Sequence, residues 1–228
     1  MKQLVLDISS DAPPTLDNFV VGANSELVAS LSLLATDRSL LPAPHLYLWG
    51  TSGKGRSHLL QGAVAVATAN GRQTHYLNAD TVRDALPETP DALLAIDDID
   101  RLRPEAQVAL FNAFNRARLN GQSLLLAGLQ PPLALALRED LRTRIGQSLI
   151  FEVQPLDDDS RAAILATLAE RRGLRLADEV VDFLMRHGRR DLPSLLAAFN
   201  ALDAASLEQK RPITLPLLRE MMQQGLAI

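Results

Sequence analysis

Apolar residues follow two rhythms along this chain. Short stretches of strand length, Leu46–Trp49, Thr74–Asn78, Leu93–Ile96, Leu124–Ala127 and Leu149–Val153, are bounded by turn-forming residues. Continuous apolar runs of this length predict strands covered on both faces, as in a parallel sheet. Longer stretches with helical spacing separate them. Ser57–Ala69 is rich in Ala and Leu and stops at Asn70-Gly71. Pro104–Leu119 opens with Pro in a first turn, where its missing N–H costs nothing, and closes at Asn120-Gly121. Pro131-Pro132 reads as the opening of a further helix before the fifth strand. The repeated strand–helix order predicts an α/β fold: a five-stranded parallel sheet, doubly wound, with helices on both faces.

Past Val153 the rhythm changes. Asp157-Asp158-Asp159 is an acidic helix start, and helical patterns follow at Ser160–Arg172, 178–187, 191–207 and 215–225, with no strand signal. The expected domains are an N-terminal arm over 1–14, an α/β domain over 15–154 and a small all-α domain over 155–228.

Composition narrows the function classes. Net charge is −4 and the pI about 5.6. That argues against a broad basic surface for DNA, because non-specific DNA binding is mostly phosphate neutralisation. There is no cysteine, so disulfides, thiolate metal ligands and a cysteine nucleophile are excluded. The four histidines are scattered without metal-ligand spacing. The first seven residues are too short and acidic for a leader, and no apolar run approaches the ~20 residues that span a bilayer. The expectation is a soluble cytoplasmic protein that binds no membrane.

The chemistry is carried by residues 50–57, Gly50, Thr51, Ser52, Gly53, Lys54, Gly55, Arg56 and Ser57. Between a predicted strand and a predicted helix, this glycine spacing lets backbone N–H groups curl round phosphates, and the helix N-terminus adds a favourable dipole. His58 follows directly. Ser57 would put its hydroxyl on Mg²⁺. Arg56 stands where lysine is usual; it keeps the charge and can bind phosphate bidentately, but it is longer and planar. Nucleotide binding is compatible with that exchange, while self-sufficient hydrolysis is not expected. Leu93-Leu94-Ala95-Ile96-Asp97-Asp98 is an apolar strand ending in two acids. Asp97 would reach Mg²⁺ by way of water, and Asp98 could orient an attacking water. Arg142, Arg144 and Arg190 are further candidates for phosphate chemistry.

In this order these segments resemble the AAA+ family, and within it the DnaA branch of bacterial replication proteins. Thr15–Asn24 is similar to the segment that opens the DnaA ATPase domain and packs on adenine, which implicates Val20, Val21, Gly22 and Asn24. Leu124–Gly128 followed by Pro131-Pro132 resembles the sensor 1 strand and its turn. Leu141-Arg142-Thr143-Arg144 resembles the arginine-finger stretch and places the finger at Arg144. Arg190-Asp191-Leu192 resembles the sensor 2 arginine of the lid. Gln3-Leu4-Val5-Leu6-Asp7-Ile8 is similar to motifs that dock on the DNA polymerase III sliding clamp (its beta subunit), with Gln3 at the rim and Leu4, Leu6 and Ile8 in an apolar channel. Leu129 departs from the acidic residue often found beside sensor 1, and Asp7 is an unexpected charge in the clamp motif. The helix-turn-helix domain that reads origin DNA is not expected after Ile228, so no sequence-specific DNA binding is expected either.

Taken together the resemblance implies the regulatory inactivators of DnaA. Such a protein holds ADP (or ATP) with Mg²⁺, docks on the clamp, and inserts its finger into DnaA to promote hydrolysis of DnaA-bound ATP. An exposed finger is also compatible with a homo-oligomer. Asp97-Asp98 keeps open the alternative of an autonomous AAA+ ATPase, such as a helicase loader or replication remodelling factor. A pure adaptor with a structural nucleotide is the third reading.

Overall fold

The computed structural model describes residues 13–37, 43–189, 191–224 and 226. They fall in two compact units, Pro13–Gln154 and Pro155–Ile228. No helix among the described residues is long and apolar enough to cross a membrane.

The first unit carries strands β1 (Leu46–Trp49), β2 (Thr74–Asn78), β3 (Leu93–Asp97), β4 (Ser123–Gly128) and β5 (Leu149–Glu152). Its helices are α1 (Ser25–Thr36), α2 (Arg56–Ala69), α3 (Pro104–Asn120) and α4 (Glu139–Gly146). The sheet is wholly parallel in the order β2-β3-β4-β1-β5. Alternate residues of each strand serve opposite faces. Leu46, Leu48, Leu93, Ala95, Leu125 and Ala127 pack on α1 and α2. Tyr47, Leu94, Ile96, Leu124 and Leu126 pack on α3 and α4. Two apolar layers therefore clamp the central strands, which explains why β1, β3 and β4 read as unbroken apolar runs.

The structure corrects the sequence reading in two places. Pro131-Pro132 opens no helix: only a single 3₁₀ turn forms at Pro132–Ala134. Arg142 and Arg144 lie instead on α4, whose Leu141 and Ile145, four apart, are buried. α1 is the second addition. Its Asn24 precedes the helix without capping it.

Polar side chains tie the layers. Arg72, only 5% exposed, donates to the carbonyls of Leu34 (2.6 Å) and Asp91 (2.8 Å) and to Ser123 Oγ (2.8 Å). One guanidinium thus joins the end of α1 to the starts of β3 and β4. His45, just before β1, accepts from the Leu124 N–H through Nδ1 (3.2 Å) and stacks edge-on against Phe114. Burial lowers its pKa from the ordinary 6.5 to about 4. A base whose pKa is depressed in the fold stabilises the fold above its unfolded pKa and loses that contribution as pH falls. Unfolding free energy should therefore drop by about 2 kcal/mol between pH 7.5 and pH 5 on this account. Urea melts will show it, and His45→Asn, whose Oδ1 replaces the Nδ1 acceptor, should lose that part of the slope.

The second unit is helical: α5 (Asp158–Arg171), α6 (Asp178–His187), α7 (Leu192–Gln209) and α8 (Leu215–Gln223). Asp157 caps α5 by accepting from the Ser160 N–H (2.7 Å), and Asp191 caps α7 through the Ser194 N–H (2.8 Å). Leu165, Val180, Leu184, Phe199, Leu202 and Leu217 are buried.

Candidate functional site

The carboxyl ends of neighbouring strands bring the chemistry-bearing residues to one rim of the sheet, where open α/β sheets bind ligands. β1 ends at Trp49 beside Gly128 of β4, and the Gly50 N–H donates to the Gly128 carbonyl at 3.2 Å. The chain then turns through Thr51–Gly55 into α2, with Gly53 (φ 84) and Gly55 (φ 88) in left-handed conformations. At Gly55 a Cβ would also stand 2.8 Å from the Phe19 ring. Glycine is required there both for the turn and for the close approach of the 15–24 segment. Thr51, Ser52, Gly53 and Ser57 are exposed, so the turn of the loop and the second residue of α2 face solvent.

Both loop cations meet an acid. Lys54 turns aside to Glu152 (Nζ to Oε1, 3.3 Å). Arg56, 8% exposed, reaches Asp98, with Nη2 3.3 Å from Oδ1. Its Nη1 is buried without a protein partner. A buried guanidinium nitrogen normally finds an acceptor, so Nη1 retains a free donor beside the loop that Arg56 closes.

β3 delivers the acids. Asp97, 1% exposed, accepts from the Tyr76 hydroxyl (3.0 Å) and from the Asp98 N–H (2.9 Å). Burial, with Asp97 and Asp98 nearby, raises the Tyr76 pKa, so the phenol stays protonated and able to donate. Gln61 of α2 in turn donates to the Tyr76 oxygen at 3.3 Å. Sequence reasoning missed Tyr76 and Gln61. They lie on β2 and α2, and only the parallel pairing of β2 with β3 brings the phenol level with the acids. Among the described residues no three acids or histidines cluster tightly enough to hold a metal unaided.

The 15–24 segment is fastened beside the loop. His58 contacts the Thr15 carbonyl (2.9 Å) through Nε2, and its ring lies 5.6 Å from Phe19. Asn24 is 3% exposed and bonded both ways to Gln154: Nδ2 to the carbonyl at 3.0 Å and Oδ1 from the N–H at 2.7 Å. His58 and Asn24 therefore position the segment, while Val20, Val21 and Gly22 remain partly or fully exposed. Leu129 is 40% exposed, and its N–H donates to Asp100 Oδ1 at 3.0 Å.

Arg144 projects from α4 towards α3. Its Nη2 donates to Asn115 Oδ1 (3.1 Å) and its guanidinium lies over the Phe111 ring at 5.7 Å. Among the described residues it forms no ion pair. Arg142, by contrast, donates to the Leu133 carbonyl at 3.2 Å. Arg190, Gln3, Leu4, Leu6 and Ile8 lie outside the described residues.

Comparison with known proteins gives this arrangement its relatives. The bacterial DnaA ATPase domain model matches residues 11–152, and the Hda lid domain model matches residues 158–222. An uncharacterised protein of Haemophilus influenzae is 31% identical over 230 residues, covering 97% of this chain and 98% of that protein. AMPPCP-bound DnaA from Aquifex aeolicus superposes with a TM-score of 0.72 at 24% identity, over 86% of this chain and 67% of that one. Domain III of Thermotoga maritima DnaA gives 0.73 at 20% identity, over 95% and 98%. The first model spans more than half of the chain. The protein belongs to the DnaA branch of the AAA+ family, with an ATPase-type domain of the bacterial DnaA kind and an Hda-type lid.

Proposed function

We propose that this protein is a regulator of replication initiation that retains ADP and promotes hydrolysis of ATP on DnaA by supplying Arg144 in trans. The observation that carries the reading is the state of Arg144: partly exposed, steadied by an amide and a ring, and not neutralised by any described carboxylate. A cation held in this way is suited to an anionic site on another molecule.

In this reading the phosphates lie in the Gly50–Ser57 loop, with Arg56 Nη1 among their donors. Val20 to Gly22 flank the base. Ser57 and, through water, Asp97 would hold Mg²⁺, which supplies charge neutralisation at the phosphates. Autonomous turnover is weak because Asp98 is bound to Arg56 and Leu129 offers no side-chain donor beside the site. Gln3, Leu4, Leu6 and Ile8 dock the protein on the sliding clamp. Tethering raises its concentration near DnaA without any new contact between the two.

The test follows ATP-bound DnaA with DNA-loaded clamp. Wild-type protein should accelerate hydrolysis, and a variant with Gln3 and Leu4 changed to Ala should fall at least about tenfold short at low concentration. Raising the variant's concentration should restore the rate, because the tether acts by mass action. Equal stimulation with and without clamp would remove the docking step. Fast turnover by the protein alone would replace the reading with an autonomous ATPase.

A further inference from the structure

Asp98 occupies a conformation uncommon for a residue with a side chain. Its φ is 53° and ψ 44°, the left-handed region that Asp and Asn enter more readily than bulkier residues. The turn places its carboxylate between two donors. Oδ1 faces Arg56 Nη2 at 3.3 Å and Oδ2 faces Asn78 Nδ2 at 3.5 Å. Both oxygens are engaged, and the side chain keeps only 26% of its surface.

Arg56 makes this arrangement possible. A lysine ammonium at the same place would be one compact charge, whereas a guanidinium is a fork able to serve two acceptors at once. Here one prong, Nη2, is committed to Asp98, and the other, Nη1, is buried without a protein partner. Lys54 is balanced as well, by Glu152. The two basic residues of the phosphate loop therefore enter ligand binding with their charge already offset.

We propose that Asp98 is a specificity-determining residue for phosphate number. By offsetting Arg56 it lowers the positive potential that the loop presents, so each added phosphate charge is held less well and a nucleoside diphosphate is favoured over a triphosphate. The proposal rests on the phosphate-loop reading and assigns its selectivity to one carboxylate. An acid beside a polyphosphate repels the more highly charged ligand more strongly, and in a partly buried site this is only partly screened.

Calorimetry with ADP and with AMPPCP, in the presence of chelator, separates charge selectivity from metal coordination and from hydrolysis. Asp98→Asn preserves the backbone, since Asn accepts the left-handed region as readily as Asp. Thermal melting should confirm the fold. The variant should bind AMPPCP more tightly relative to ADP, the affinity ratio shifting on the order of tenfold towards the triphosphate. An unchanged ratio, or equal gains or losses for both ligands, overturns the proposal. Arg56→Ala separates the two layers of argument. If it binds ADP as wild type does, the phosphate-loop reading itself fails. If it loses ADP while the Asp98→Asn ratio stays at the wild-type value, only the role given to Asp98 fails.

Discussion

Arg144→Ala should lower the stimulated hydrolysis of DnaA-bound ATP by at least about a hundredfold, with fold, nucleotide content and clamp docking unchanged. Arginine fingers contribute about 10³–10⁵ in rate in GTPase systems, by placing a fixed charge where negative charge builds on the transferring phosphate. The contacts Arg144 makes within the chain are one hydrogen bond to Asn115 and one stack on Phe111. Neither is buried enough for its loss to unfold the protein, since exposed contacts of this type are worth well under about 1 kcal/mol. Single-turnover hydrolysis on ATP-loaded DnaA, with clamp and DNA in excess, is the measurement. Arg144→Lys should recover little, because an ammonium neither stacks on Phe111 nor bridges two phosphate oxygens. An Ala variant as active as wild type would move the finger elsewhere; Arg142, bound to the Leu133 carbonyl on the same helix, would be next to examine.

Much of the fold was legible because buried parallel strands leave an unbroken apolar signature. β1, β3 and β4 stand where the pattern puts them, differing by a residue or two where the ladder runs on into Asp97, Ser123 and Gly128. α1 was overlooked although its buried residues, Leu27, Leu31, Leu34 and Ala35, recur at helical spacing. The residue ahead of it, Asn24, resembles a cap, yet its amide is spent on Gln154 and the helix begins without a side-chain cap. α4 is eight residues long and mostly polar, and only Leu141 and Ile145 hold it to the core. Two apolar residues four apart are too few to stand out from a loop. Arg72 carried no signal either. A core guanidinium answering carbonyls at the end of α1 and just ahead of β3, and a hydroxyl of β4, exists only once those segments meet.

The strand-to-helix turn at 50–57 was plain from its glycines, whereas the relation of its cations to the acids was not. Lys54 and Glu152 are far apart in sequence, as are Arg56 and Asp98, and both pairs arise from strand order. Tyr76 became visible only through its register opposite Ala95, two residues before Asp97. The sequence reading therefore named the groups proposed to meet a ligand, and the structure added those that hold or neutralise them.

Arg56→Ala should weaken ADP binding by about a hundredfold, because a charge-assisted hydrogen bond contributes about 1.5–3 kcal/mol and each 1.4 kcal/mol is tenfold. The loss has two sources that can be separated. One is the missing donor. The other is Asp98, which without Arg56 presents an unbalanced carboxylate to the phosphates. The double variant Arg56→Ala, Asp98→Asn should therefore recover part of the lost affinity, and the cycle of single and double variants measures the coupling between the two side chains. Trp49, the single tryptophan of the chain, adjoins Gly50 and supplies a fluorescence titration alongside calorimetry. Arg56→Lys should keep most of the ADP affinity, since an ammonium still offers donors to phosphate. Asp98 keeps its charge in that variant, so the preference for the diphosphate should persist. Lost selectivity in the Lys variant would mean that discrimination depends on the guanidinium itself and not on the charge of Asp98.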